Sequence, residues 1–402
     1  MQEALARLGT RLPFAQAAAE FTAFTQVPVS DSTTRRHTEA AGAAYVAVQT
    51  ADVDRIEQEA RAPRHRRAQP SSAPPVPAVL LQGSVDGAFV PLVGGEWAEV
   101  KTRAVGEVVL APDPADPDGP QPHATALSYF SRLATAETFT RLATGELERR
   151  GVDRAGVVVA PLDGAEWQQG FLDVQCPQAV RILDFPHAVE YLTKAVQAVW
   201  GHDSAQSRTW LEHQRHELQH GNPSTVRKAL ARLPVQQAPD PSAAATEARA
   251  ISLQYLTKRL DQIQYATFRQ QGYPIGSGCV ESANTLVVEA RVKGSGMHGE
   301  REHVDPVLAL RNALCRGRWS EAWQPISQYR RLTVRQQRAQ RQQAHHAARP
   351  CRRAPLLPPV ALVLTPPTRP ARPPRIVNGR PTADHPWRRP FLSGSRRFAS
   401  SH

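Results

Sequence analysis

The stretch AGVVVAPLDG, residues 155–164, decides how the chain folds. Its run of apolar residues, broken by one proline and closed by Asp-Gly, reads as a short strand buried on both faces, the kind found in parallel sheets. A helical segment, EWQQGFLDV (166–174), follows, and then the pattern returns in AVRILDF (179–185). Strand, helix and strand in this order predict an α/β core. Each of the two strands closes on an acid, Asp163 and Asp184.

Upstream, AVLLQGSVDGAFVPLV (78–93) reads as two strands around an Asp86-Gly87 turn, since Asp-Gly between apolar runs is a strong hairpin signal. WAEVKTRAVGEVVLA (97–111) reads as a third strand, and DPADPDGPQPH (113–123) as a loop. SYFSRLATAETFTRLATGELERRG (128–151) reads as an amphipathic helix stopping at Gly151. Downstream the pattern is helical from about 188 to 270, through HAVEYLTKAVQAVWG, TWLEHQRHEL, VRKALARL and ISLQYLTKRLDQIQYATF. GYPIGSGCVESANTLVVEARVKGSGM (272–297) then places Glu281 after a Gly-Ser-Gly bend, at the head of a further helix that also carries Arg291 and Lys293. On local chemistry alone, Glu281 could simply be a first-turn acid favoured by the helix dipole. Three strands, a helix, a strand, a helix and a strand match the order of the ribonuclease H-like fold. In that fold the first strand is central and the fourth lies beside it, so Asp86 and Asp163 become neighbours although 77 residues separate them.

The N-terminal 1–50 region reads as a helix-turn-helix. PFAQAAAEFTAFT (13–25) is helical, QVPVS breaks it, and Ser30 or Asp31 can cap STTRRHTEAAG, which stops at Gly42. That second helix carries Thr33, Thr34, Arg35 and Arg36 on its first turns, a face suited to the major groove. A plain structural hairpin has the same spacing. Residues 51–79 turn charged and then Pro/Ser/Ala-rich, a linker. The core is expected over 80–330. Residues 331–402 hold fifteen Arg, one acid (Asp384) and twelve Pro. Such a tail cannot bury enough apolar surface to fold alone, and suits screening of a polyanion. That segment carries +14 against +12 for the whole chain, so residues 1–330 sum to about −2.

With 402 residues and 41% hydrophobic, the chain can hold one large domain with appendages. No apolar run approaches the roughly 20 residues of a membrane span. No secretory leader pattern opens it, so a cytoplasmic protein without membrane attachment is expected. Cys176, Cys279, Cys315 and Cys351 are dispersed, which argues against a zinc site or a disulfide framework.

Taken together, these blocks resemble bacterial insertion-sequence transposases of the Mutator-like DDE class, most closely the ISKra-type group. The resemblance spans roughly 80–325. SVDGAFVPL with GEWAEVK resembles the first-acid block, VVVAPLDGAEW the second, PIGSGCVESAN the third, and DPVLALRNALCRGRWSEAW the closing stretch. ILDFPHAVEYL resembles the D-x-x-H signature after the second acid. The resemblance implies a ribonuclease H-like catalytic core with an all-helical insertion at about 188–270. It also implies a catalytic and metal-binding set of Asp86, Asp163 and Glu281, with Asp184 and His187 supporting it. Spacing alone leaves Asp163 and Asp184 as alternatives for the ligand beside Asp86.

Acids converging from separate elements are what two magnesium ions need, because magnesium takes oxygen ligands and a paired site serves in-line phosphoryl displacement. Manganese could substitute. The implied activity is cleavage at the terminal inverted repeats of the protein's own element and joining to target DNA, by a homo-oligomer. Thr33, Thr34, Arg35, Arg36, Arg291 and Lys293 are the expected DNA contacts. Two alternatives stay open: a non-catalytic DNA-binding remnant, which would lack magnesium-dependent activity, and a structure-specific nuclease, which would cut without joining.

Overall fold

Residues 80–91 alternate between two apolar environments, and that alternation makes β1 (Leu80–Pro91) a central strand. Leu81 and Val85 enter a cluster with Phe139, Phe171 and Leu172, while Ala88 and Val90 enter another with Val280, Val287 and Leu308. β1 pairs antiparallel with β2 (Trp97–Ala111), and β2 antiparallel with β3 (Gln121–Arg132). On its other side β1 pairs parallel with β4 (Val157–Leu162), and β4 parallel with β5 (Val180–Leu183). The outcome is an α/β architecture with a mixed five-stranded sheet in the order β3-β2-β1-β4-β5. The computed structural model describes residues 1–61, 78–112, 120–202, 204–237, 243–294, 299–347, 376–377 and 380–381. They fall in two units, Met1–Arg341 and Gln342–His402.

The strand count matches expectation but the strands are different. Asp86-Gly87 is not a turn; it lies mid-strand opposite Thr102 and Lys101. The reversal comes at Leu92–Glu96, where Gly94 and Gly95 supply φ values of +89° and +82° that other residues rarely adopt. Gly87 serves a different need, since a Cβ there would meet the Glu99 Oε1 at 2.1 Å. The third strand lies in a segment read as loop and helix start: Gln121–Arg132 pairs along β2 with a bulge opposite Gly106. Pairing with β2 overrides the local signal, and the helix begins only after Thr135, whose hydroxyl caps Thr138 N–H at 3.3 Å. That helix, α4 (Ala136–Arg150), stops as expected at Gly151, with φ +63°. With α5 (Glu166–Gln175) it covers one sheet face.

At the other end, α1 (Gln2–Arg11), α2 (Phe14–Thr25) and α3 (Asp31–Arg61) precede the sheet. The α2–α3 break at 26–30 is as read, but α3 does not stop at Gly42. Gly42 is a close-packing point, because a Cβ there would meet the Pro306 carbonyl oxygen at 2.1 Å. Val53 is buried further along, and Arg141 of α4 pairs with Asp54 at 2.5 Å, so residues 51–61 are helix rather than linker. The rest of the expected linker, 62–77, lies outside the described residues.

After β5 come α6 (Phe185–Trp200), α7 (Ala205–His220), α8 (Pro223–Ala231), α9 (Ala243–Lys258) and α10 (Tyr265–Gln270), matching the expected helical block. Their apolar faces share a cluster with Val159, Ile182 and Leu183 of the sheet. A continuous helical run then spans α11 (Gly278–Ala283), a π-helical segment (Asn284–Glu289) and α12 (Ala290–Val292). Next follow α13 (Arg301–Cys315) and α14 (Trp319–Ala347).

The N-terminal helices are not a free-standing module. Ala6, Ala41, Ala44 and Tyr45 share a core with Leu310, Trp319 and Ile326 of α13 and α14. A buried ion cluster adds to this: Glu146 of α4 pairs with Arg316 at 2.6 Å, and Arg316 donates to Tyr45 Oη at 2.8 Å. Burial pushes the Glu146 carboxyl up, but Arg316 and Arg149 hold it below its ordinary value. The expected basic tail likewise begins inside a helix. Residues 331–347 complete α14, as Arg, Gln and Ala favour helix. In the second unit, Ile376–Val377 pairs antiparallel with Arg380–Pro381. The remaining tail lies outside the described residues. Among the described residues no helix is long and apolar enough to cross a membrane.

Two helix glycines should respond oppositely to alanine. Gly42→Ala should lower the unfolding free energy by about 1–3 kcal/mol, since the obstructing atom is backbone. At Gly145 a Cβ meets only Val53 Cγ2, at 3.5 Å. Gly145→Ala should therefore raise stability by up to about 1 kcal/mol through helix propensity. Urea unfolding of both variants checks the pair.

Candidate active site

Register alone lines up three acids. Gln82 of β1 pairs with Val159 of β4, and four residues further on each strand stand Asp86 and Asp163. Leu162 pairs with Leu183, so Asp163 and Asp184 follow together where β4 and β5 end. Glu281 reaches the same region from α11, across the sheet face that α11 and the π segment cover.

Asp86 is partly buried, with Oδ1 accepting from Gly87 N–H at 2.7 Å and Oδ2 from the Asn284 amide at 2.8 Å. Burial, and then the carboxylates of Asp163 and Glu281, push its pKa up from 3.8 to about 6 against those two hydrogen bonds. No cation is among its principal influences. The π segment explains the Asn284 contact: its first residue turns toward β1, three positions after Glu281. Asn284 was not foreseen, although a polar residue three after the acid lies on the same helix face.

Asp163 is held by its surroundings more than by its carboxylate. Its Oδ1 accepts from Ala165 N–H at 2.8 Å, while its backbone carbonyl accepts from Tyr255 Oη. Gly164, at φ +87°, accepts at its carbonyl oxygen from Arg259 Nη2 at 2.6 Å. A Cβ at Gly164 would meet Tyr255 Oη at 2.5 Å. The helical block thus clamps the turn through α9, and no sequence signal pointed to Tyr255 or Arg259.

Asp184 differs. It is fully buried, and Oδ1 accepts from Ser277 N–H at 2.6 Å while Oδ2 accepts from His187 N–H at 3.1 Å and meets His187 Nδ1 at 2.9 Å. Burial raises its pKa, but these bonds from His187 and Ser277 outweigh it and hold the carboxyl below its ordinary value. The same bond to Asp184 raises the pKa of His187, against partial burial. Asp184 therefore ties the α6 start to the Gly-Ser-Gly bend. That bend also aims Glu281, whose Oε1 accepts from Ser277 Oγ at 2.8 Å.

The donor set suits a hard divalent cation. Asp86, Asp163 and Glu281 offer only oxygen, and the buried Asn284 Oδ1 beside them has no hydrogen-bond partner. The three carboxylates are not drawn tightly together. Among the described residues, the trio whose ligand atoms all lie within 4.8 Å of one another is the exposed Glu300, Glu302 and His303.

The expected DNA contacts divide. Arg35 and Arg36 are exposed on α3, and Thr33 is half-buried beside Ser30. Thr34 is fully buried, its hydroxyl bonded to Ser30 O at 3.0 Å, so it faces the protein. Arg291 is also internal: it donates to Gly9 O at 3.0 and 3.2 Å and stacks on Phe14. Burial lowers its pKa to about 10. Its role is to fasten α12 to the α1–α2 corner, which the N-terminal packing requires. Lys293 pairs with Glu289 at 2.6 Å at the surface.

Because the folded pKa of Asp86 lies above 3.8, folding is favoured while it is protonated and loses that advantage as pH rises from 3.8 through about 6. Asp86→Asn has no charge to lose. It should match wild type near pH 4 and exceed it at pH 7.5 by up to about 3 kcal/mol, measured by denaturant unfolding at both pH values. Equal pH dependence of the two proteins would remove the assigned strain. No protein-family model and no curated protein sequence matches this chain.

Proposed function

We propose that the protein is a DDE-class DNA transposase of the ISKra-type, Mutator-like kind. The observation that carries the reading is Asp86, a carboxylate on the central strand whose charge is opposed by acids from two other elements, Asp163 and Glu281. Structural frameworks seldom gather like charges without a cation, whereas a phosphoryl-transfer site requires them. The strand order, antiparallel through β3-β2-β1 and parallel through β1-β4-β5, supports a ribonuclease H-like core. The helical block between Asp163 and Glu281 fits the insertion that the resemblance implies.

Asp86, Asp163 and Glu281 would hold two magnesium ions, or manganese in their place. When bound, such ions polarise the scissile phosphate and make the attacking oxygen a better nucleophile. The chain's own residues do the rest. Asn284 orients Asp86, Ser277 orients Glu281, and the α9 clamp fixes the Asp163 turn. Asp184 has its lone pairs engaged, which favours a positioning role, and it fixes His187 Nδ1 so that Nε2 is left for a DNA phosphate. The substrates would be the terminal inverted repeats of the protein's own element and target DNA, handled by a homo-oligomer.

Asp86→Asn, Asp163→Asn and Glu281→Gln should each abolish magnesium-dependent cutting and joining of end-bearing DNA, yet leave binding to it nearly intact. Asp184→Asn should reduce activity less than Asp163→Asn. Full activity in the Asp86 or Glu281 variant would refute the assignment, and the reverse order for the other two would exchange their roles. Cutting without joining would favour the nuclease reading.

A further inference from the structure

The outer half of α14 is built of residues that favour helix, but its charge is all of one sign. From Ala322 to Arg341 it carries five arginines and no acid. Its base is anchored, with Trp319, Ala322 and Ile326 in the core and Trp319 Nε1 donating to Glu3 at 3.1 Å. Beyond that, Arg331 and every side chain from Arg335 to Arg341 are exposed. Arg331, Arg335, Arg338 and Arg341 form no ion pair with a described residue. Spacings of four and three put Arg331, Arg335 and Arg338 within about 60° of one another around the helix. Like charges so placed repel, with no acid among the described residues paired to offset them.

α3 packs against α14: Ala41, Ala44 and Tyr45 share a core with Trp319, Ala322 and Ile326. Near that contact, Arg330 of α14 and Arg36 of α3 both lower the pKa of His37, after burial. A second copy of the chain is a poor occupant, because within α14 no large apolar side chain follows Val334 and no seam for a coiled coil exists there. A single nucleic-acid strand fits poorly too, since within α14 no Phe, Tyr or Trp follows Tyr329 to stack a base. What remains is a straight row of guanidinium groups about 15 Å long, a match for phosphates.

We infer that the outer half of α14, together with the start of α3, is a docking surface for the sugar-phosphate backbone of duplex DNA. The choice of DNA as the polyanion rests on the transposase reading; the surface itself does not. Docking there supplies the countercharge that the helix lacks, and it places sequence-independent grip beside Arg35 and Arg36. The fifteen arginines of residues 331–402 thus divide between this helical surface and the sequence after it.

The test uses the full-length chain and a fluorescent random-sequence duplex across a salt series. Replacing Arg331, Arg335 and Arg338 together with Gln keeps helix propensity and removes three charges. The slope of log affinity against log salt should fall by about 2.7, and affinity near physiological salt by on the order of 10- to 100-fold. Amides of 331–341 should exchange more slowly when wild type binds the duplex. An unchanged slope with no protection of those amides overturns the inference, as does tighter binding to duplex RNA or polyglutamate. Magnesium-dependent cutting of end-bearing DNA, measured alongside, separates the two proposals. Cutting by a wild type whose α14 variant binds normally sinks the surface alone; a wild type that binds through α14 but never cuts sinks the enzyme alone.

Discussion

Parallel pairing of β1, β4 and β5 at fixed offsets is the constraint on which the molecule depends. A slip of one residue would turn every side chain of the slipped strand to the opposite face. Asp86 would then face the α4–α5 core, and Leu81 and Val85 would leave it. Backbone bonds hold the offset at both ends of β4: Val157 N–H donates to Val79 O at 2.9 Å, and Asp184 N–H to Leu162 O at 2.7 Å. The apolar runs thus do two jobs. They bury the sheet, and they deliver acids to one level at its edge.

Three acids arriving together are treated unequally, and the inequality assigns their tasks. Asp184 is surrounded by donors and contributes order, joining β5, α6 and the Gly-Ser-Gly bend. Asp163 is positioned through its backbone by Tyr255 and Arg259, so the helical block is structurally part of the site. Asp86 accepts two hydrogen bonds, yet burial and its acidic neighbours push its pKa to about 6. Stability is given up locally where a bound cation would restore it.

How much of this was legible depended on whether the signal was local. The strands at 157–162 and 180–183, the helical block and the Gly151 stop all follow from short-range pattern, and each stands where expected. Asp86-Gly87 misled because a turn-forming pair also fits a strand when β2 lies alongside. β3 was hidden because its first half is exposed and polar, and its strand character comes from pairing alone. Gly42 looked like a stop when it is a place where two helices touch. In the site, Asp163 and Asp184 were visible by their positions at strand ends, whereas Asp86 proved to lie mid-strand and Glu281 heads a helix. Asn284, Tyr255 and Arg259 were not visible, since their importance lies in what the fold brings near them. Arg291 was misjudged for the same reason, a charge whose partner is a carbonyl 282 residues away.

The π-helical segment at Asn284–Glu289 has a consequence for how this chain could tolerate change. A π turn is one residue more than an α-helix needs, so it resets the angular phase between the two halves of a rod. The front half aims Glu281 and Asn284 at Asp86, and the rear half aims Arg291 at Gly9. Deleting a single residue between them would rotate one half by about 100° relative to the other. Either the end that carries Glu281 and Asn284 or the anchored end would then miss its target. Length in this segment is therefore restricted more severely than composition: side chains such as exposed Leu286 can vary, while the residue count cannot.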